Sequence, residues 1–447
     1  MKLGWALLYL LLATPDTAEQ RLRRMLAAPS GIVHLPSGSI ELTSGIQLPA
    51  GLHDVTLTGD HTVLRASRSF HGRAMIVCSG CRRVSFRNFS MDGNRDALEI
   101  RQPLPPSGAA FASFYGSNAM LFEQADGIAI ENVQFANIAG FAILVNRSAN
   151  VAVDHVSVAD SGSRNERGRN NTTGGILLEE GSGPFSVHNS TFRNIRGNGV
   201  WTHSRYGSPR SHDGTIAGNT FSDVGRDAIQ AGHATRIRVI DNQASRIGMN
   251  PEEVDVEGGG TPVGIDTSGN VDGSVYEKNR FDEVNGKCID LDGFHDGAVR
   301  DNTCINRGRA EDYAYGNIGI VFNDASIEMR SENIVVENNE LSGMKYGGIF
   351  VLGEGHTIRN NRMTRLNMAH CNESHPRFNC FVIPGEPGVL ESGIYLAKGV
   401  SRVSPSRRIT IEGNVVSGYK IAAHCIEAAP TVKLSENTIR NNKCLDE

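Results

Sequence analysis

The sequence predicts an all-β solenoid of parallel strands, on three observations: a recurring Asn motif, a recurring Gly-Ile motif, and a spacing that keeps returning to one short value. The Asn motif sits in strands of alternating apolar character, as in Glu131-Asn132-Val133-Gln134-Phe135, His188-Asn189-Ser190-Thr191-Phe192 and Gly218-Asn219-Thr220-Phe221. It continues at Asn242, Asn279, Asn302, Asn339, Asn361, Asn414 and Asn437. The Gly-Ile strand follows a short distance later, at Gly175-Ile176-Leu177-Leu178, Gly199-Val200-Trp201, Gly264-Ile265-Asp266, Gly319-Ile320-Val321, Gly348-Ile349-Phe350 and Gly393-Ile394-Tyr395. From Asn132 through His155 and onward, the steps are 23, 34, 30, 23, 37, 23, 37, 22, 53 and 23 residues. The unit is therefore 22 to 23 residues, and each longer step is that unit plus an insertion. A fixed period of this kind dictates the fold before any single residue is weighed. A leucine-rich repeat would need a Leu ladder and a helical repeat would need 3.6-residue periodicity; the chain has neither. Short Val/Ile/Phe strands broken by Gly, Asn and Asp fit stacked parallel strands about 4.8 Å apart. The repeated Asn tolerates the left-handed backbone of a bend, and its amide can bond to the Asn one coil away.

From the N-terminus, Met1-Lys2 followed by the apolar run Leu3 to Ala13 reads as a signal peptide, too short to span a bilayer, with Ala13 and Ala18 as candidate cleavage sites. The expected organisation is a leader over residues 1–18 and one elongated domain over 19–447, because no Pro/Ser-rich linker or charge run divides the repeat. Residues Glu19 to Ala28 are expected to form a short helix over the first coil, where an open solenoid end would expose unpaired strand edges. The first coils read Gly31-Ile32-Val33-His34-Leu35-Pro36, Ile46-Gln47-Leu48-Pro49 and Val55-Thr56-Leu57-Thr58-Gly59. With these segments the chain resembles the pectin-lyase-like superfamily over about residues 30 to 444. The resemblance implies a single-stranded right-handed parallel β-helix with a short N-terminal capping helix. That superfamily includes polysaccharide lyases, glycoside hydrolases, sugar epimerases, esterases and adhesins, so the fold does not name a reaction.

A net charge of −5 argues against a nucleic-acid partner, and past the leader no stretch reads as a membrane span. Eight cysteines suit an exported, disulfide-bonded protein, secreted or periplasmic. Proximity along the chain pairs Cys288 with Cys304, Cys371 with Cys380, and Cys425 with Cys444. Cys78-Ser79-Gly80-Cys81 is a lone CxxC without the two further ligands a zinc site needs.

A β-helix offers chemistry only on its outside. Alternate residues of a strand point outward. In each Gly-Ile strand the residues one and three after the Ile therefore face out: Leu177 and Glu179, Trp201 and His203, Gln230, Asp266 and Ser268, Asp290 and Asp292, Val321 and Asn323, Phe350 and Leu352, and Tyr395. Acidic, aromatic and polar residues concentrate in the middle coils, the layout of a carbohydrate groove. Insertions at Ser163–Thr173, Tyr206–Asp213, Pro251–Thr261 and Asn367–Glu391 are placed to line it.

The densest constellation is Cys288-Ile289-Asp290-Leu291-Asp292-Gly293-Phe294-His295-Asp296-Gly297. Asp266 and Asp290 hold the same place in successive coils, and Asp290 and Asp292 share a face. Carboxylates this close repel, so one pKa should rise, which is what general acid–base cleavage of a glycosidic bond requires. The same residues Asp290, Asp292 and Asp296 could instead hold Ca²⁺, or simply cap turns. His295 could tune an acid or bind substrate. A second cluster runs Gly225-Arg226-Asp227-Ala228-Ile229-Gln230-Ala231-Gly232-His233. Asp227 and Gly232-His233 look similar to polygalacturonase residues, but Gly286-Lys287 stands where that family has an Asp pair, so its mechanism does not carry over.

The expected catalytic set is Asp266, Asp290, Asp292, Asp227, His233 and His295. The expected substrate contacts are Trp201, His203, Gln230, Glu179, Lys287 and Tyr395. The leading expectation is an exported carbohydrate-active enzyme that hydrolyses glycosidic bonds in a poly- or oligosaccharide with paired Asp residues and no required cofactor. The alternatives are a Ca-assisted polysaccharide lyase or uronate epimerase, with Arg226, Arg236 and Lys287 supplying positive charge, and a non-catalytic glycan-binding adhesin.

Overall fold

A computed structural model describes residues 16–106, 108–381, 383–399 and 402–447; most of the expected leader lies outside them. The chain winds as a right-handed parallel β-helix whose coils add strands to three long parallel ladders. One ladder has fourteen strands; the other two are joined through the long strand Thr62–Ser79, which turns the corner between them. A four-stranded ladder at Ser211–His212, Ala234–Thr235, Val271–Asp272 and Phe294–His295 forms one further corner.

Inward residues of successive coils stack on themselves. Phe192 and Phe221 are register partners, with ring centroids 4.8 Å apart and planes 10° from parallel. Phe86, Phe122, Phe135 and Phe281 fill the same interior and are fully buried. The Gly of the Gly-Ile motif is there for closeness. A Cβ on Gly264 would stand 2.5 Å from the Cys288 carbonyl oxygen and 2.8 Å from the Phe281 ring, so only hydrogen fits. At the N-terminal end, helix Ala18–Leu26 closes the coil as expected, with a Thr17/Gln20 capping box and with Leu22 and Leu26 driven into the core.

The Asn motif divides into two structural jobs that the sequence had merged. The left-handed residue comes one position before the ladder residue: Asn132, His155 and Asn189 have φ of 53°, 51° and 49°, as do Gly218, Asp241, Lys278, Asp301, Asn338 and Asn360 near 53–66°. The amide ladder proper begins at Asn219. It runs through Asn242, Asn279, Asn302, Asn339, Asn361 and Asn414, each side-chain N–H donating to the next Oδ1 at 2.9–3.0 Å. It ends on Asn442 and not Asn437, whose Oδ1 instead accepts from the Ile409 amide.

All eight cysteines are paired: the three expected bonds form, and Cys78 joins Cys81. Among the described residues no helix is long and apolar enough to cross a membrane.

Candidate functional site

Parallel register builds the acidic patch. Gln230 pairs with Asp266, Asp266 with Asp290, and Asp290 with Val321, so these side chains form one outward column. Neighbours in such a column are about 4.8 Å apart, and Asp292 lies two residues, about 6.6 Å, along the strand from Asp290. Asp227 and Lys287 stand at the start of their strands; Lys287 is in register with Val263, which receives the amide of Ala228 next to Asp227. A hydrogen-bond relay fixes the column: the Asn198 amide donates to Gln230 Oε1 at 2.7 Å, and Gln230 Nε2 donates to Asp266 Oδ2 at 2.6 Å. The Lys287 ammonium donates to Asp290 Oδ2.

Four carboxyls thus surround one ammonium, too many negative charges for all to ionise while buried. Burial, then the charge of Asp290, pushes Asp227 up to about 7, with Arg226 opposing. Burial followed by Asp227 and Asp290 raises Asp266 well above the carboxylate range. Burial and Asp290 bring Asp292 to about 7. Burial works against the charge on Lys287, but Asp290 beside it holds its pKa above that of an ordinary lysine. Asp290 Oδ1 and Asp292 Oδ1 are buried with no protein donor, free for a substrate hydroxyl or water.

These shifts have a consequence for stability. A carboxyl whose folded pKa exceeds its unfolded value keeps its proton where the unfolded chain has lost it, so its stabilisation is full below pH about 4 and is lost as pH rises to about 7. Asp227→Asn removes that loss. The variant is expected to gain a few kcal/mol on wild type at pH 8 relative to pH 4, the linkage value of a shift from 3.8 to about 7. Urea unfolding at both pH values measures it, and a pH-independent difference would contradict the buried acid.

Beside the patch lies a cavity of about 280 Å³, walled by Trp201, His203, Arg226, Gln230, His233 and Ser268, with Tyr206 at one side and Leu104, Pro105, Pro106 and Phe111 above. Burial, only partly offset by Glu180, lowers His203 to about 4, so the ring is neutral; burial and Arg210 also lower His233. Trp201 Nε1, His203 Nδ1, His233 Nδ1, and Arg226 Nε and Nη1 are buried without acceptors or donors in the protein. A second cavity of about 450 Å³, walled by Pro103, Asn165, Arg167, Asn171 and Asp255, shares Leu104 and Arg226 with the first. Two of the expected insertions build it: Arg167 and Asn165 bond to Asp255 at 2.7 and 2.9 Å.

The structure therefore brings together Asp227, Gln230, Asp266, Lys287, Asp290 and Asp292, with His203, His233 and Trp201 around the adjoining cavity. Other expected contacts lie elsewhere. Glu179 is wholly buried and caps the short helix Phe111–Phe114, accepting from the Phe111 and Ala112 amides at 2.8 Å and from Asn146 at 2.8 Å. Trp201 does wall the cavity but is only 6% exposed, and Phe111 meets it edge-on at 4.9 Å, so its faces offer no open platform. Tyr395 is 1% exposed, stacked on Phe350 beneath the segment of Glu386 and Gly388. His295 lies in the four-stranded corner ladder that follows the Lys287–Asp292 strand, where Asp296 and Asn270 take both ring nitrogens at 2.7 and 3.0 Å. Arg236 is spent on Asp213 at 2.7 Å.

Asp296 is tied to His295 and Asn333 on that corner, and Lys287 occupies Asp290, so Asp290, Asp292 and Asp296 do not converge on a cation. Among the described residues the sets that do converge are Glu179–Glu180–His203 and Glu391–His424–Glu427. The carboxylates of the first are already taken by the Phe111 and Ala112 amides, Asn146, Arg205 and Ser208.

The covering segment between Gly93 and Ser117 is what sequence reasoning missed. It precedes the first counted Asn, so no interrupted period marked it; its signals were the Pro-rich Gln102-Pro103-Leu104-Pro105-Pro106 and the aromatics Phe111, Phe114 and Tyr115.

No curated protein matches the chain. Among solved structures, PfbA, a surface adhesin of Streptococcus pneumoniae, aligns over 78% of this chain and 86% of its own at 16% identity, TM-score 0.57. A family 136 glycoside hydrolase, lacto-N-biosidase from Eubacterium ramulus, aligns over 89% of this chain and 62% of its own at 13% identity, TM-score 0.52. A mannuronic acid specific family 6 polysaccharide lyase from human gut microbiota aligns over 96% and 88% at 14% identity, TM-score 0.51. Identities this low speak for the fold alone. A family model described as the right-handed β-helix region matches residues 74–272 and 174–363, most of the chain, and the protein belongs to that family.

Proposed function

We propose that this protein is an exported enzyme that hydrolyses glycosidic bonds, with its single domain following a cleaved leader. One observation carries the reading: four carboxyls share one ammonium beside the cavity walled by Gln230 and Arg226, three of them holding protons far above the usual range. Hydrolysis needs a neutral carboxylic acid to protonate the leaving oxygen and an ionised partner to attack or to activate water. Asp290, beside Lys287, fits the ionised role. Asp292 and Asp227, pushed up to about 7, fit the acid. The apolar leader and four disulfides support export.

The test is a panel of defined neutral and acidic oligosaccharides followed by chromatography and ultraviolet absorbance. Hydrolysis is expected, with saturated products. Because the acid must be protonated, kcat/KM should fall as pH rises through about 7; a rate that keeps rising above that pH would remove the protonated-acid role. One observation favours a second reading. Arg226 lies beside Asp227 with Nε and Nη1 unpaired, and a substrate carboxylate seated there would suit β-elimination from a uronate. New absorbance from an unsaturated product would decide for the lyase, and binding without turnover for the adhesin.

A further inference from the structure

The outward column changes character along the helix. On one side of the acidic coils it runs Trp201, Leu177, Leu144, Leu121 and Val77, each the register partner of the next. All are apolar and buried, at 6, 0, 0, 0 and 7% exposure. The column points out of the coil but is covered: Phe111, Ala112 and Tyr115 pack on it as a second apolar core outside the coil. The cover is fixed at one point by the buried Glu179, which takes the amides of Phe111 and Ala112. On the other side the column runs Val321, Phe350 and Tyr395, and the last two are 5 and 1% exposed. Between the covers stay the coils of Gln230, Asp266, Asp290 and Val321, three strand spacings or about 15 Å; Gln230, Asp266 and Val321 are half-buried there and Asp290 between them is 7% exposed.

Resting on the glycosidase reading above, we propose that the site takes the end of a glycan chain or a short oligosaccharide and not the interior of a polymer. A chain laid along the helix axis meets Phe111 and Trp201 at one end of the acidic column and the buried Phe350 at the other. With a few sugar rings' length between them, the bond at Asp290 can be only a short distance from a terminus. Phe111 and its anchor Glu179 are then specificity-determining positions: they act by closing the groove, not by touching the reacting atoms.

The experiment uses the full-length protein and reducing-end-labelled ladders of each glycan in the panel, with the parent polymers run in parallel by viscometry. Wild type is expected to release small products from one end from the first time point, with polymer viscosity unchanged. Early internal fragments or a rapid viscosity drop would overturn the proposal while leaving the glycosidase reading standing. No cleavage of any glycan would instead remove the glycosidase reading and this inference with it. Phe111→Ala and Glu179→Gln should add longer products to the pattern. If both variants fold by circular dichroism and keep the wild-type pattern, the cover does not set the cleavage mode; if neither folds, the wild-type pattern alone decides.

Discussion

Asp290→Asn is expected to lower kcat/KM on the true substrate by about 10³-fold, the middle of the range for loss of a positioned acid–base group. The protein should still fold. Removing this carboxylate strips Lys287 of its nearest counter-charge, and an unpaired buried ammonium would be costly. Asp266 and Asp292 already lie within its field, however, and one of them can ionise in place of Asp290. The same substitution removes the negative charge that helps hold Asp292 near 7, so the Asp292 pKa should fall. Carboxyl titration by NMR distinguishes that outcome from simple unfolding. Full activity in a folded Asp290→Asn protein would remove the carboxylate-centred mechanism altogether.

Asn302→Ala is expected to destabilise the scaffold by about 3–5 kcal/mol. Its side chain donates to the Tyr276 carbonyl and to Asn339, and accepts from both the backbone and the side chain of Asn279, all at 2.9–3.0 Å and all buried. Truncation strands these partners away from water, at roughly 1–3 kcal/mol for each group left unsatisfied. Asn189→Ala is the control. Asn189 holds a left-handed corner and an exposed bond to Asp154, so its loss should cost about 1–2 kcal/mol. Denaturant unfolding of the two variants separates the jobs; equal costs would mean that the ladder amides are no more than turn residues.

The period made the coils and the outward column legible, because alternation and spacing are local properties. Asp266 over Asp290 follows from counting alone. What counting could not supply was the cover. Leu177, Trp201, Phe350 and Tyr395 alternate correctly and do point outward, yet they are buried: Phe111, Ala112 and Tyr115, distant in sequence, fold back over Leu177 and Trp201, and the insertion just before its own strand covers Tyr395. The same limit applied to Glu179, an outward carboxylate whose partners lie 67 and 68 residues earlier, and to His295, whose strand leads to a different corner. The Asn motif was misread by a single residue at its N-terminal members. A left-handed Asn and a stacking Asn are the same letter, and only backbone geometry tells them apart.

The amide ladder also bears on how such a chain can vary. Consecutive ladder residues are 23, 37, 23, 37, 22, 53 and 28 positions apart, yet every link closes at the same 2.9–3.0 Å. A coil of 53 residues seats on its neighbour as a coil of 22 does. Register is therefore settled at one point per turn, between nearest neighbours, whatever length of chain lies between. Loops at the rim can be lengthened, exchanged or grafted from another coil without sliding the strands beneath them, so new specificities can be written onto the groove while the scaffold stays unchanged.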